Sequence, residues 1–165
     1  MEEKKVCNVL FLCTGNSARS ILAESILNHL GKGRFRGYSA GSHPKGEVHP
    51  LAIDLLKSLG MPSAGFRSKS WDEFARPGAP ELDLVVTVCD HAAGEVCPIW
   101  PGGPVTAHWG VPDPVVVEGD VMTKKAAFRS AFEQLERRIG WLVSLRISEL
   151  DRTALKKKVD EIGKS

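Results

Sequence analysis

Two patterns of hydrophobic and polar positions alternate along the chain, one typical of buried strands and the other of amphipathic helices. Apolar residues or short alternating runs predict strands, and these lie at 6–12, 34–40, 82–88 and 105–109. Apolar residues that recur every three or four positions predict helices, and these lie at 21–30, 48–59, 123–143 and 151–162, with a brief capped turn at 70–74. Gly31 and Gly60 follow the first two helices, as expected where a helix ends.

The order of these elements predicts an α/β fold with a small, mostly parallel sheet flanked by helices. A chain of 165 residues is long enough to bury a substantial core, so we expect one domain over residues 1–165. Ligands in such folds bind at the carboxyl ends of the strands. Because Cys13 and Cys89 directly follow the two most apolar strands, we expect both thiols at that edge of the sheet.

Charge and composition exclude several classes of function. A net charge of +2, from 22 basic and 20 acidic residues, lacks the strong basic excess of a nucleic-acid surface. No apolar run approaches the length of a membrane span, and residues 1–5 do not begin a signal peptide. We therefore expect a cytoplasmic protein without membrane or nucleic-acid partners. In that reducing compartment, four cysteines favour catalysis or redox exchange over structural disulfides.

The turn between the first strand and the first helix carries the strongest chemical signal. Free amides at a helix N-terminus attract anions, and the same field is expected to lower the pKa of the Cys13 thiol. Arg19 can hold a tetrahedral oxyanion through two parallel hydrogen bonds, which a lysine cannot do. A buried strand-end cysteine before a capped helix would explain Cys13 alone but not the whole set. The predicted oxyanion-binding residues are Thr14, Gly15, Asn16, Ser17, Ala18, Arg19 and Ser20.

Individual residue types in this turn have specific expected roles. Gly15 would let the backbone approach a ligand closely, and Asn16 tolerates the left-handed conformation that a tight turn needs. Ser17 or Ser20 would either cap the following helix or donate a hydrogen bond to the thiolate.

Three interpretations of Cys89 and Cys97 remain open from the residues alone. The two thiols could be small apolar packing groups, although Cys97 lies in a polar loop flanked by proline. They could bind a metal with His91 and His108, although their spacing is too wide for the usual zinc knuckle. They could also form a thiol relay with Cys13, provided that the loops bring the α-carbons within about 7 Å. Cys7, inside the first strand, is expected to be a packing residue.

Asp113 lies in the segment Trp109-Gly110-Val111-Pro112-Asp113-Pro114, where an Asp-Pro pair often forms a simple turn. The same pair can hold a carboxyl group rigidly above a pocket as a general acid. Next to a cysteine–arginine anion loop, the second role is favoured.

The segment V-L-F-L-C-T-G-N-S-A-R-S, from Val9, resembles the active-site loop of the low-molecular-weight protein tyrosine phosphatase fold. Three other stretches are similar to the thioredoxin-coupled arsenate reductases of that fold: 38–42, 89–98 and 108–114. The resemblance implies that Cys13 is the nucleophile, Arg19 the oxyanion clamp and Asp113 the general acid. It also implies that Cys89 and Cys97 are the two relay cysteines.

Three departures from these families are visible. Ala18 stands where the phosphatases commonly carry a second cysteine, and Val115-Val116-Val117 stand where tyrosines commonly help to hold an aryl phosphate. Both departures weaken the resemblance to a phosphatase. The gap between Cys89 and Cys97 is one residue longer than in the best-known relay reductases.

The function that the resemblance implies is a cytoplasmic arsenate reductase. Arsenate would be the substrate, phosphate and sulfate competing anions, and thioredoxin or another thiol reductant the partner that recycles the enzyme. No cofactor and no metal are expected. The main alternative is a low-molecular-weight protein tyrosine phosphatase, which would use Cys13, Arg19 and Asp113 but not the relay cysteines. A binding protein that holds arsenite on its thiols without turnover is a third possibility.

Overall fold

The computed structural model describes residues 6–89, 100 and 103–165, and within them four parallel strands form the sheet that carries the candidate site. The strands are β1 (Cys7–Cys13), β2 (Phe35–Gly41), β3 (Leu84–Thr87) and β4 (Val105–His108). Their spatial order is β2-β1-β3-β4, and each neighbouring pair is parallel. The predicted α/β fold with a small parallel sheet is confirmed.

Four α-helices and three 3₁₀ turns connect and cover these strands within the described residues. The helices are α1 (Arg19–Leu30), α2 (Pro50–Ser58), α3 (Val121–Val143) and α4 (Arg152–Gly163). The 3₁₀ turns are Trp71–Phe74, Pro114–Val116 and Ile147–Glu149. None of the helices in the described part of the chain combines the length and the apolar character that a membrane span requires.

Side-chain caps define the start of three helices, and α1 is the exception. His49 caps α2 because its Nδ1 accepts a hydrogen bond from the Leu51 amide, and Asp120 and Asp151 cap α3 and α4 in the same manner. Helix α1 begins two residues earlier than predicted, and its N-cap is Ala18, with no side-chain hydrogen bond. Of the two roles expected for Ser17 or Ser20, neither serine caps α1, and Ser20 lies inside the helix.

Strand β1 divides the core into two parts, because successive side chains point to opposite faces of the sheet. Its odd-numbered residues, such as Phe11, pack with α1, α2, α3 and α4 in the larger hydrophobic cluster. Its even-numbered residues, Leu10 and Leu12, pack on the other face with Trp71 and Trp100. Cys7 is buried in the larger cluster, in agreement with its predicted packing role. The cysteine at the end of β1 consequently faces the helical layer.

The register of the strands brings the predicted site residues to one edge. Cys13 pairs with Gly41 at the end of β2, and Leu12 pairs with Thr87 at the end of β3. Two further backbone bonds continue this edge: Val88 donates to Leu12, and the Val111 amide donates to the Val88 carbonyl. The segment that leads to Asp113 is thus attached directly beside Cys89.

Candidate active site

The loop 13–20 is held in shape by the segment that follows β2. The amides of His43, Lys45 and His49 donate to the carbonyl oxygens of Thr14, Gly15 and Ser17 at 2.9, 3.0 and 2.8 Å. Close packing extends to Gly41, where any side chain would collide with the carbonyl oxygen of Thr14. These contacts fix the loop directly before the N-terminus of α1, where backbone amides favour a bound anion.

Asn16 occupies the one left-handed position in this loop, with a φ of 45°. Its side chain is fully buried and fixed at both ends: Oδ1 accepts from the Lys69 amide at 2.9 Å, and Nδ2 donates to Ser20 Oγ at 2.8 Å. Since Ser20 Oγ already accepts from Asn16, its hydroxyl proton is available for the Cys13 sulfur, 3.0 Å away. The predicted conformation of Asn16 and a serine contact to the thiol are both present.

Burial dominates the electrostatics of Cys13. It raises the pKa of the thiol above its ordinary value, and the nearby Cys89 raises this pKa further. Hydrogen bonds from Ser20 and the charge of Arg19 lower the pKa but do not compensate. The expected lowering of the Cys13 pKa is therefore wrong, because the cost of removing a thiolate from water exceeds the gain from the Ser20 hydrogen bonds and the Arg19 charge.

Arg19 bridges the anion loop and the segment that carries Asp113. Its Nη1 donates to the Val111 carbonyl at 3.0 Å, and its Nη2 lies 3.3 Å from Asp113 Oδ2. The other carboxylate oxygen of Asp113 accepts from the Val115 amide at 3.0 Å and caps the 3₁₀ turn Pro114–Val116. Asp113 is consequently both a turn residue and a carboxyl group at the mouth of the loop.

Cys89 lies next to the loop, beside Thr14. It is buried, with 2% of its surface exposed, and its sulfur is 3.5 Å from Thr14 Oγ1. No disulfide joins Cys7, Cys13 and Cys89, so all three described cysteines are thiols. The structure thus brings together Cys13, Arg19, Asp113 and Cys89.

Two of the remaining predicted residues lie outside the described part of the chain, and a third lies within it. Cys97 and His91 lie in 90–99, so their placement is not part of the described structure. His108 lies at the end of β4, where its Nδ1 is 2.7 Å from Thr87 Oγ1. Among residues 6–89, 100 and 103–165, no group of three or more metal-binding side chains occurs.

Comparison with known proteins agrees with this geometry. The sequence model of the low molecular weight phosphotyrosine protein phosphatase family matches residues 8–160. The chain belongs to this family.

Relatives in the family with high similarity are arsenate reductases. The arsenate reductase of Halalkalibacterium halodurans is 39% identical over 136 residues, which cover 82% of this chain and 93% of the relative. The arsenate reductase of Bacillus subtilis is 34% identical over 131 residues, covering 79% and 91% of the two chains.

Solved structures extend the same comparison. Arsenate reductase from Archaeoglobus fulgidus superposes with a TM-score of 0.67 at 28% identity, covering 83% of this chain and 99% of that one. A thioredoxin-dependent arsenate reductase of Corynebacterium glutamicum gives a TM-score of 0.63 at 27% identity, covering 87% and 64%. An arsenate reductase in a phosphate-binding state gives 0.66 at 26% identity, covering 84% and 98%. The predicted resemblance is confirmed.

The sequence of this family member did not indicate which residues hold the loop 13–20 in place. The brace formed by His43, Lys45 and His49 acts mainly through backbone amides, which carry no residue-type signal. Lys69 likewise holds Asn16 through its amide. Only the position of this brace, directly after a strand that ends beside Cys13, could have indicated its role.

Proposed function

We propose that this chain is an arsenate reductase that acts in the cytoplasm and converts arsenate to arsenite with electrons from its own thiols. The observation that carries the proposal is the position of Cys89, a buried second thiol beside Thr14 of the anion loop. Hydrolysis of a phosphate ester needs one thiol, whereas reduction of arsenate needs two. The arsenate reductases among the relatives support this reading.

Arsenate would bind at the loop 13–20, before the N-terminus of α1. Backbone amides and the helix end favour a tetrahedral anion, and the Arg19 guanidinium supplies two parallel donors. Phosphate and sulfate share this shape and charge, so both should compete with arsenate. The phosphate-binding state of one structural relative supports a common oxyanion site.

In the first step, the Cys13 sulfur attacks arsenic and a bond from arsenic to oxygen breaks. The departing oxygen takes a proton from Asp113 and leaves as water. The contact between Arg19 and Asp113 places this carboxyl beside the clamp that holds the anion. The product is a covalent adduct between Cys13 and arsenic.

In the second step, the Cys89 thiolate attacks the Cys13 sulfur. A disulfide forms, the sulfur–arsenic bond breaks, and its electron pair stays on arsenic, which leaves as arsenite. Cys97 would then attack Cys89, which frees Cys13 and leaves a Cys89–Cys97 disulfide. Thioredoxin or another thiol reductant would reduce that disulfide, as the thioredoxin-dependent relative suggests. The scheme needs no resident cofactor or metal.

Phosphotyrosine hydrolysis is the competing activity, because Cys13, Arg19 and Asp113 would suffice for it. The residues after Asp113 argue against an aryl substrate, since Val115, Val116 and Val117 provide no aromatic wall. Val116 is 70% exposed in this position. We therefore expect at most weak hydrolysis of aryl phosphates.

Replacement of Cys89 separates these activities. We expect Cys89→Ser to stop arsenate reduction but to spare any aryl-phosphatase activity, because only reduction needs the second thiol. Cys7→Ser is a matched control, since Cys7 is also a buried cysteine but lies at the opposite end of β1. Arsenite formation, aryl phosphate hydrolysis and circular dichroism would be measured for both variants, with Cys13→Ser as the inactive reference.

Peptide mapping after one arsenate turnover without reductant tests the order of the thiols. Wild type should accumulate Cys89–Cys97, whereas Cys97→Ser should trap Cys13–Cys89, and Cys7 should stay reduced. If neither linkage forms and Cys89→Ser turns over like wild type, the intramolecular relay is wrong. A small external thiol would then have to attack the Cys13 adduct directly.

A further inference from the structure

The side chain of Lys45 passes beside Gly15 of the loop 13–20. A Cβ placed on Gly15 would lie 3.2 Å from Lys45 Cε and 3.3 Å from Lys45 Cγ, so the lysine stem fills the space beside this residue. The Lys45 amide also donates to the Gly15 carbonyl at 3.0 Å, which fixes the start of the stem. Gly15 was expected to give a ligand close access to the backbone, but on this side the lysine methylenes take that place.

The stem leads the Lys45 ammonium to the edge of the loop. Cε packs beside Gly15, and Nζ is one bond further along the chain. Lys45 is exposed, and within the described residues no salt bridge engages its ammonium. An exposed cation held by its stem keeps its charge available for a ligand.

The Lys45 ammonium is one of three charged groups that influence the pKa of His49. Burial lowers the pKa of His49, and the positive charges of Lys45 and Lys124 lower it further, while Asp113 acts in the opposite direction. One side chain thus lies within electrostatic reach of Asp113, Lys45 and Lys124. The His49 amide donates to the Ser17 carbonyl, so the Lys45 charge acts close to the loop 13–20.

We propose that Lys45 is a specificity-determining residue of this site, and that its ammonium forms a cationic rim which recruits doubly charged tetrahedral oxyanions to the loop 13–20. The proposal deepens the proposed function and rests on it for the identity of the substrate. Arg19 supplies the fixed hydrogen bonds within the loop, whereas Lys45 supplies charge at its entrance. A flexible, hydrated point charge suits recruitment better than rigid binding.

Such a rim should change anion affinity more than the chemical step. Exposed ionic contacts are weak and are screened by salt, so the neutral variant Lys45→Met should bind phosphate about two- to tenfold more weakly at low ionic strength. The KM for arsenate should rise by a similar factor, while kcat should change less than about twofold. This difference should shrink as potassium chloride is raised, since the Debye length falls to about 3 Å at 1 M salt.

The experiment is calorimetric titration of inorganic phosphate into the reduced protein, with arsenate kinetics as the second readout. Lys45→Gln repeats the neutral substitution with a polar stem, and Lys45→Arg should restore affinity. Lys32→Met is the matched control, because Lys32 is exposed and precedes β2, at the opposite edge of the sheet. It removes the same charge and should leave phosphate binding unchanged.

The outcomes distinguish this proposal from the proposed function. If the neutral Lys45 variants bind phosphate like wild type, or if Lys32→Met loses as much affinity as Lys45→Met, the rim does not exist. If phosphate binding depends on Lys45 and its salt dependence is steeper in wild type, the rim is supported. That support stands even if no arsenate is reduced, in which case only the proposed function fails.

Discussion

The hydrogen bond between Ser20 and Cys13 gives a prediction whose size can be worked out from the structure. The Ser20 hydroxyl lies 3.0 Å from the buried sulfur, and Asn16 occupies one of its acceptor positions. Burial raises the pKa of Cys13, and the two hydrogen bonds that Ser20 makes through its side chain and its amide are the largest opposing effects. Ser20→Ala removes the side-chain contact and keeps the amide.

A hydrogen bond to a charged group contributes about 1.5–3 kcal/mol, and one pKa unit corresponds to about 1.4 kcal/mol. Because the Asn16 amide, 3.3 Å from the sulfur, remains, we take the lower end of this range. The pKa of Cys13 should therefore rise further in Ser20→Ala, because the thiolate loses about 1.5 kcal/mol of stabilisation, which corresponds to about a tenfold loss of thiolate. The variant should form less thiolate at neutral pH.

The reaction rate of Cys13 should show a crossover with pH. Below both pKa values the variant has about tenfold less thiolate, but a thiolate of higher pKa is about threefold more nucleophilic, so the net rate should fall about threefold. Above both pKa values only the nucleophilicity differs, and the variant should react about threefold faster. The rate of modification by methyl methanethiosulfonate, followed for the Cys13 peptide by mass spectrometry, measures both limits.

Ser25→Ala is the matched control for this experiment. Ser25 is also a buried serine of α1, but its hydroxyl donates to the Pro62 carbonyl at 2.5 Å and makes no contact with Cys13. Its profile should follow wild type. An unchanged profile for Ser20→Ala, or a rate that falls equally at every pH, would show that Ser20 does not stabilise the thiolate.

Two further predictions concern the anion site. Arg19→Lys should lower kcat/KM for arsenate about tenfold to a hundredfold, because a point charge replaces the planar fork that is proposed to hold the oxyanion. Near-normal kinetics would exclude Arg19 as the clamp. Sulfate should raise the melting temperature above that in chloride at equal ionic strength, because an anion that binds only the folded loop stabilises it by mass action. Equal melting temperatures would contradict a preformed loop.

The sheet could be predicted because the apolar runs that form its strands are visible in the local sequence. Residues 6–12 and 82–88 enclose most of β1 and all of β3, with differences of one or two residues at the ends. The start of α1 was harder to predict from the sequence. Its first turn has no side-chain cap, and the loop before it is fixed by amides from residues 43–49, which leave no mark on the pattern of residue types.

The composition of the candidate site was predictable, but its electrostatics were not. Cys13 and Arg19 stand out because a thiol and a guanidinium share one strand-to-helix turn, and Asp113 becomes a candidate only next to them. The direction of the Cys13 pKa shift is set by burial, whose effect exceeds that of the Ser20 hydrogen bonds and the Arg19 charge. Burial at a strand end depends on the tertiary structure. The local sequence could therefore indicate which groups surround the thiol, but not which of their effects on its pKa is larger.

Asp113 shows why competing local interpretations need not exclude each other. From sequence, an Asp-Pro turn and a general acid were alternatives, yet the two carboxylate oxygens of Asp113 make separate contacts, so the turn leaves the second oxygen for another role. Oδ1 accepts from the Val115 amide and shapes the turn, while Oδ2 lies 3.3 Å from Arg19. The turn holds the carboxyl group in a fixed orientation, and that orientation is what a group acting at the mouth of the loop requires. The structural role of Asp113 therefore supports the chemical role proposed for it.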